Sequence, residues 1–366
     1  MAAMKEAGPL AWANPASVHR AGRAARALLE RARDQVAEAI GGRPAEIVFT
    51  SGGTEACAQG VLGLAGTLAP GCKVVTTGIE HPAVAAQLAQ LAGLGVQVQP
   101  LPVRCGRPPS QAELAAVLTR DTALVAIQWV NHETGTLMPV SEYGQVCAAA
   151  GVPFFVDGTQ ALGKVPVQVA DSGITALALA AHKLGGPSGA GALWVRRGHE
   201  LASLLRGGGQ ERGRRAGTPD VLNLVGFGAA CAEVSERLRR QPDVAALRDR
   251  LEARLGQWVG PAGGMQVNGY GGPRVGTVTN LSVPGCRGAD LVVALDVEGV
   301  CAASGAACSS GLSEPSPVLR AMYPDDPGRA TSALRLSFGL ETLEDDEEII
   351  ATKVLDVCSR VARAGG

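Results

Sequence analysis

The stretch Ala176-Leu177-Ala178-Leu179-Ala180-Ala181-His182-Lys183-Leu184-Gly185-Gly186-Pro187 sets a short apolar run against a basic, glycine-rich bend. Residues 176–179 are apolar at every position, as in a strand covered on both faces, and Gly185, Gly186 and Pro187 end the run. Runs of the same kind recur at 47–50, 74–77, 124–130, 154–156 and 192–195, with helical stretches between them. This alternation predicts an α/β fold whose large domain has a mainly parallel central sheet covered on both faces. Before the first run, Val18, Ala21, Ala25, Leu28, Leu29, Ala32, Val36 and Ile40 recur at helical spacing among arginines and glutamates. That spacing predicts a long amphipathic helix over 17–40. Ligands of such sheets gather beyond the carboxyl ends of the strands, and His182-Lys183 stand just past one of them.

The texture changes around 235–256, a charged helical stretch, which places a domain boundary near 240. A large domain is expected over 14–240 and a smaller C-terminal α+β domain over 241–366, with strands at 275–283 and 333–337. Residues 1–13 are expected to pack near the smaller domain. A chain of 366 residues has room for both. Its 34 acidic and 33 basic side chains nearly cancel, which argues against a nucleic-acid or anionic-membrane surface and for a small-molecule substrate. The nine cysteines, without a Cys-x-x-Cys pair, make neither a disulfide framework nor a zinc site, so no metal is expected and the reducing cytosol is. The first residues lack the apolar core of a signal peptide. The uncharged stretch 83–103 holds four Gln and two Pro, which disqualify it as a membrane span.

Four places carry residue types suited to chemistry. Lys183, in a glycine-rich bend after a strand, is sterically free to condense with an aldehyde. Phe154-Phe155-Val156-Asp157 ends a strand with a carboxylate that could pair with a protonated ring nitrogen, although a strand-end Asp is more often a turn former. Thr50-Ser51-Gly52-Gly53-Thr54-Glu55 links a strand to a helix, where backbone N–H groups and hydroxyls can hold a phosphate. In Ser304-Gly305-Ala306-Ala307-Cys308-Ser309-Ser310-Gly311 the cysteine sits among small residues, which argues for access rather than packing.

Together and in order these pieces resemble the cysteine desulfurases, in the class V aminotransferase branch of the fold-type I pyridoxal-phosphate enzymes. The resemblance runs from Asn14 to about Glu348. It rests on Asn14-Pro15-Ala16-Ser17-Val18-His19, Ser51-Gly52-Gly53-Thr54-Glu55, Glu80-His81-Pro82-Ala83-Val84, Val156-Asp157-Gly158-Thr159-Gln160, His182-Lys183, Arg215-Ala216-Gly217-Thr218 and the Cys308 loop. The resemblance implies that pyridoxal 5'-phosphate is carried on Lys183, which also moves the substrate's α-proton. It implies His81 stacked on the ring, Asp157 at the ring nitrogen and Gln160 at the ring hydroxyl. Gly53, Thr54 and His182 match phosphate ligands, and Thr218 matches a threonine that reaches the neighbouring subunit's phosphate, so a homodimer is expected. Arg335 matches the arginine that receives the substrate carboxylate, with Asn131 on the same substrate side, and a guanidinium fork suits that task. Cys308 matches the cysteine that takes sulfur from L-cysteine as a persulfide, leaving alanine, with His81 as the nearby proton acceptor for its thiol.

The chain departs from the family pattern in four respects. It lacks the Asp-Asn-Asn-Ala-Thr-Thr type motif near its start. Ala180 stands for a phosphate-binding serine, a hydrogen bond worth roughly 1.5 to 3 kcal/mol. His132 takes the place of an asparagine that approaches the ring, which makes that contact pH-sensitive. Ala58 and Leu340 replace an asparagine and an arginine. The motifs specify an α-amino acid and leave other readings open: a selenocysteine lyase, another pyridoxal-phosphate lyase or aminotransferase, or a degenerate sulfur-carrier scaffold. They also leave open the sulfur-acceptor protein, whether an iron–sulfur scaffold, a tRNA-thiolation relay or another pathway. The other cysteines read as structural or incidental, with Cys57 and Cys301 as the exceptions to watch because they lie near the phosphate and Cys308 loops.

Overall fold

The computed structural model describes residues 1–66, 70–305, 314–342 and 344–364, and Cys308 therefore lies outside the described residues. The chain divides into two compact units: Met1–Leu101, Ser110–Trp129 and Pro139–Leu238 form one, and Pro102–Pro109, Val130–Met138 and Arg239–Gly366 the other. In chain order the larger unit holds α1 (Ala2–Ala11), α2 (Arg20–Ala39), β1 (Ile47–Thr50), α3 (Gly53–Ala65), β2 (Lys73–Thr77), α4 (Pro82–Gly93) and β3 (Gln97–Leu101). It continues with α5 (Gln111–Val117), β4 (Thr122–Gln128), α6 (Val140–Ala150), β5 (Phe154–Asp157), β6 (Ala176–Ala180), β7 (Gly191–Val195), α7 (Val221–Ala232) and α8 (Val234–Arg239).

Its seven strands run in the order β1-β7-β6-β5-β4-β2-β3. β3, β2, β4, β5 and β6 pair in parallel, while β7 lies antiparallel between β6 and β1. The mainly parallel sheet expected from the apolar runs is thus present. β3 has no such run to announce it: Gln97, Gln99 and Pro100 break the apolar pattern, and an edge strand tolerates proline. Val48, Val74, Leu124, Phe155 and Leu193 of the sheet are buried against Ala56 and Val61 of α3 and Val84 and Leu88 of α4. α3 comes very close because Gly60 faces Phe155, where an added Cβ would stand 2.3 Å from the ring. Any larger residue there would push helix and sheet apart.

The helix expected over 17–40 is α2, with the His19 imidazole accepting the Gly22 N–H at 3.1 Å as its cap. Residues 1–13 pack within the larger unit, which corrects the expectation that they lie near the smaller one. Ala7 and Ala13 are buried with Ala25 and Leu28 of α2 and Val221 of α7. The physical reason is that α2 leaves an apolar face open, and small residues on all three helices let α1 approach it closely. The charged stretch read as one helix forms α8 and the following α9, with Arg240 between them.

The smaller unit contains α9 (Gln241–Leu255), the short strands β8 (Val259–Gly260), β9 (Gly263–Gly264) and β10 (Gln266–Val267), then β11 (Val278–Ser282), α10 (Gly288–Val297), α11 (Pro317–Met322), α12 (Gly328–Thr331), β12 (Ala333–Ser337) and α13 (Glu344–Ala364). β10, β11 and β12 form an antiparallel sheet. Leu281, Leu334 and Leu336 of that sheet are buried with Leu247 and Leu251 of α9, Leu291 and Leu295 of α10, and Val354 and Val357 of α13.

Candidate active site

Three strand ends of the larger unit bring the candidate residues together. β6 passes into a 3-10 turn over Ala181–Leu184, closed by Gly185 at φ 75°. That left-handed backbone is cheap only for glycine. The turn leaves His182 and Lys183 exposed while Ala181 and Leu184 anchor it in the core. After β2, His81 caps α4 by accepting the Ala83 N–H on Nδ1 at 3.0 Å, which leaves its proton on Nε2. Burial, opposed by the charge of Asp157 and assisted by that of Lys183, holds His81 below the ordinary imidazole range. Asp157 pairs with Ala178 across β5 and β6, so the ends carrying Asp157 and Lys183 are adjacent, and His81 follows β2, two strands beyond β5 in the same sheet. Burial, with the Lys183 charge, also lowers His182.

Asp157 is buried at the end of β5. Its Oδ1 accepts both the Thr159 N–H, at 3.0 Å, and the Thr159 hydroxyl, at 2.7 Å. The carboxylate is therefore aimed before any ligand arrives. Gln160 accepts the Lys164 ammonium on its carbonyl oxygen, which leaves its amide NH2 to donate, as the ring hydroxyl requires. At the start of α3, Gly52 is the cap residue with no side-chain bond, and the first intrahelical bond runs from the Ala56 N–H to the Gly52 carbonyl. The N–H groups of Gly53, Thr54 and Glu55 have no partner among the described residues, and nothing stands within 4 Å of the position a Gly52 Cβ would take. An added Cβ at Gly53 would come within 2.8 Å of Thr159 and 3.1 Å of Ala180. The helix terminus is thereby held against the strand ends that carry Asp157 and Lys183. Free donors at a 13-residue helix's N-terminus, a buried carboxylate and an exposed lysine fit the phosphate, ring nitrogen and aldehyde of pyridoxal phosphate.

The segment that carries Thr218 is tied to the loop that leads into α3. Arg215 donates to Glu55 through Nε at 2.7 Å and Nη2 at 3.0 Å, and Glu55 accepts the Ser51 N–H and hydroxyl at 2.8 and 2.6 Å. Burial would raise Glu55, but Arg215 and Ser51 prevail and hold it below the usual carboxylate range. In the same segment, Glu211 has a left-handed backbone, φ 49°. Its carboxylate accepts Arg33 twice, at 2.7 and 2.8 Å, and the Phe49 N–H at 3.0 Å. Thr218 itself is exposed.

Two buried groups lie here as well: Cys57, noted in the sequence only for its nearness to the Gly53 loop, and Glu80, to which the sequence reading gives no role. Burial together with the Asp157 and Glu80 charges pushes the pKa of the Cys57 thiol well up. Cys57 is thus a poor thiolate. Glu80 accepts the Gln128 N–H at 2.8 Å on one oxygen and pairs with the Thr77 hydroxyl on the other. Burial, helped by the Asp157 charge and opposed by these bonds, pushes Glu80 up to about 8. The signal for Glu80 is its place in the Glu80-His81 motif; what hides it is that a charged residue in a turn is normally solvated.

A carboxyl whose folded pKa is raised to about 8 favours the folded state below its unfolded pKa, and that advantage is lost as pH rises toward the folded value. The unfolding free energy of the wild-type protein relative to Glu80→Gln should therefore fall between about pH 5 and 8, by about 1.4 kcal/mol per unit where the difference is steepest. The amide introduced by that substitution copies the protonated acid, accepting from Gln128 and donating to Thr77. Denaturant titrations across this range check it; parallel curves for the two proteins would show that Glu80 does not carry the proton.

The substrate-side candidates lie in the smaller unit. Asn131 Oδ1 accepts the N–H groups of Glu133, at 3.0 Å, and Thr134, at 2.8 Å, and the Thr134 hydroxyl, at 3.0 Å. Its carbonyl oxygen thus shapes the turn. Arg335 on β12 donates through Nη1 to the His132 carbonyl at 3.1 Å. The His132 imidazole is mostly buried, with Nε2 at 3.7 Å from Glu133 Oε1.

Comparison with known proteins gives the family of the chain. The model of the family described as Aminotransferase class-V matches residues 2–349. The chain is 36% identical over 353 residues to the cysteine desulfurase NifS of Azotobacter vinelandii, covering 96% of this chain and 87% of that protein. It is 37% identical to the putative cysteine desulfurase IscS 1 of Bacillus subtilis (strain 168), covering 96% and 92%. Among solved structures, a NifS-like protein superposes with a TM-score of 0.88 at 29% identity, over 98% of this chain and 95% of that one. The chain thus belongs to the class V aminotransferase family, within its cysteine desulfurases.

Proposed function

We propose that this chain is a pyridoxal-phosphate-dependent cysteine desulfurase that converts L-cysteine to L-alanine and receives the sulfur as a persulfide on Cys308. The observation that carries this reading is the meeting of Lys183, His81 and Asp157 at strand ends, beside the open N-terminus of α3. When bound, pyridoxal phosphate supplies an electron sink for the substrate's α-carbon. Lys183 holds the cofactor and moves the α-proton. Asp157, prealigned by Thr159, holds the ring nitrogen's proton, Gln160 donates to the ring hydroxyl, and Gly53, Thr54 and His182 receive the phosphate. Arg335 takes the substrate carboxylate. The Cys308 thiolate attacks the substrate sulfur; an S–S bond forms, the C–S bond breaks, and its electron pair returns to carbon. His81 can take the thiol proton only on Nδ1, after giving up the Ala83 N–H, because its Nε2 already carries a proton.

The larger unit is the cofactor domain and the smaller one carries the residues for carboxylate and sulfur. The enzyme works as a homodimer in which Thr218 reaches the phosphate held by the partner subunit. A separate acceptor protein collects the sulfur, as iron–sulfur cluster assembly requires, and the enzyme resides in the cytosol. No helix among the described residues is long and apolar enough to cross a membrane. Incubating the purified, cofactor-loaded protein with L-cysteine should yield alanine and, under a thiol reductant, an equal amount of sulfide. Alanine without sulfide, or pyruvate in its place, would refute the desulfurase reading.

A further inference from the structure

Glu133 has no role in the chemistry above, yet it is 0% exposed and almost wholly committed. Its N–H donates to Asn131 Oδ1 at 3.0 Å, its carbonyl accepts from Asn280 Nδ2 at 3.3 Å, and its Oε2 accepts the Ser316 hydroxyl at 2.5 Å. Ser316 is fixed in turn as the cap of α11, accepting the Leu319 N–H at 3.0 Å. The other carboxyl oxygen, Oε1, has no hydrogen bond among the described residues and stands 3.7 Å from His132 Nε2. A buried carboxyl oxygen without a donor is costly, so this position calls for a proton or a cation. Among the described residues, three groups face the carboxyl: His132 from its own turn, Ser316 at the head of α11 and Arg335 on β12. Arg335 also holds the far end of the same peptide, since the unit whose N–H goes to Asn131 has its carbonyl bonded by Arg335 Nη1 at 3.1 Å.

We propose that Glu133 is a positioning residue for the His132–Arg335 pair: Ser316 fixes its carboxyl, the open oxygen takes the His132 Nε2 proton, and the peptide between them sets Arg335 for the amino-acid carboxylate. Burial raises the Glu133 carboxyl, against the pull of the Ser316 bond and the Arg335 charge. With His132 Nε2 only 3.7 Å from Glu133 Oε1, the two groups titrate in this proposal as a linked pair rather than as separate ones. The chain's histidine at 132 gains a function that an asparagine there could not have, a charge gained or lost near neutrality beside the guanidinium that receives substrate.

The test reads His132 directly. The five histidines allow ring-proton titration by NMR in the full-length, cofactor-loaded protein, with His132→Asn assigning the resonance. Glu133→Gln keeps the volume and can still accept from Ser316, but it cannot carry the charge. It should lower the His132 midpoint by about one pH unit or more, the size expected when an opposite charge within ~4 Å is removed. The KM for L-cysteine should change across that midpoint, with kcat much less affected, and the pH of the change should move with the midpoint in the variant. An unmoved midpoint overturns the proposal. If Glu133→Gln does not fold, Glu133→Asp, which withdraws the charge by one methylene, should lower the midpoint by a smaller amount, and no change there overturns it equally. The kinetic arm rests on Arg335 as the carboxylate clamp; failure of that reading would appear separately, as an unaltered KM in Arg335→Ala, while the His132 midpoint is read without substrate.

Discussion

Lys183→Ala is expected to abolish covalent attachment of pyridoxal phosphate and to lower alanine formation by about 10³-fold or more, because one side chain serves as both anchor and proton carrier. The chain has only five lysines, which makes the assignment unusually constrained. Lys73 donates to the Val117 carbonyl at 2.7 Å and to the Thr119 hydroxyl at 2.5 Å, Lys164 to Gln160, and Lys353 to the Glu298 carbonyl at 2.7 Å. Lys5 sits in α1. Of the five, Lys183 alone is exposed just past a strand end with its charge acting on His81. Because its side chain is exposed, alanine there should leave the fold and its stability nearly unchanged, within about 0.5 kcal/mol. The measurements are the visible absorption of the cofactor and peptide mapping after borohydride reduction. A reducible lysine adduct that persists in the variant would place the cofactor on another lysine. A second consequence separates chemistry from folding: His81 loses a neighbouring positive charge in the variant, so its midpoint should rise.

The cofactor side of the candidate site is legible because its residues, Thr218 apart, follow strands that their own apolar runs betray. Phe154-Phe155-Val156 leads to Asp157, and Ala176 to Leu179 leads to Lys183. The residues that support them are less legible. Glu80 and Cys57 act through burial, and nothing in a single sequence marks a glutamate as buried beside Asp157. Glu133 is visible as part of Asn131-His132-Glu133-Thr134-Gly135, but its partner Ser316 lies 183 residues away. Such a pairing is a property of the packed smaller unit and leaves no local trace. The excursions 102–109 and 130–138 into the smaller unit are hidden for the same reason: they interrupt the larger unit without any change in composition. α1 escapes notice because its alanines carry little apolar contrast, and it takes its helical packing from the neighbours it meets in α2 and α7.

Cys308→Ser should still bind pyridoxal phosphate and L-cysteine, since neither Lys183 nor the carboxylate clamp needs a thiol, while turnover of cysteine falls by about 10³-fold or more for want of a nucleophile. Competition from the other cysteines is limited by their surroundings. Burial pushes the Cys147 and Cys358 thiols up to about 12, and raises Cys231, Cys286 and Cys57 as well. These thiols carry almost no thiolate near neutrality, and the thiolate is the form that attacks sulfur. Cys105 and Cys301 are exposed and Cys72 is half-buried, so they are the thiols that a persulfide could reach instead. Cys105 occupies a tight turn, with its N–H bonded to the Met322 carbonyl at 3.1 Å and its carbonyl bonded by the Gly271 N–H at 3.1 Å. Mapping the persulfide after a brief reaction with L-cysteine should find it on Cys308. A label on Cys301 or Cys57, with Cys308 unmodified and dispensable, would overturn the assignment. L-selenocysteine supplies the control, because selenium leaves more readily than sulfur and need not be attacked by a protein thiol. If Cys308→Ser releases alanine from selenocysteine at an undiminished rate while cysteine turnover stops, the cofactor machinery is intact in the variant. The loss then belongs to the sulfur-accepting step alone.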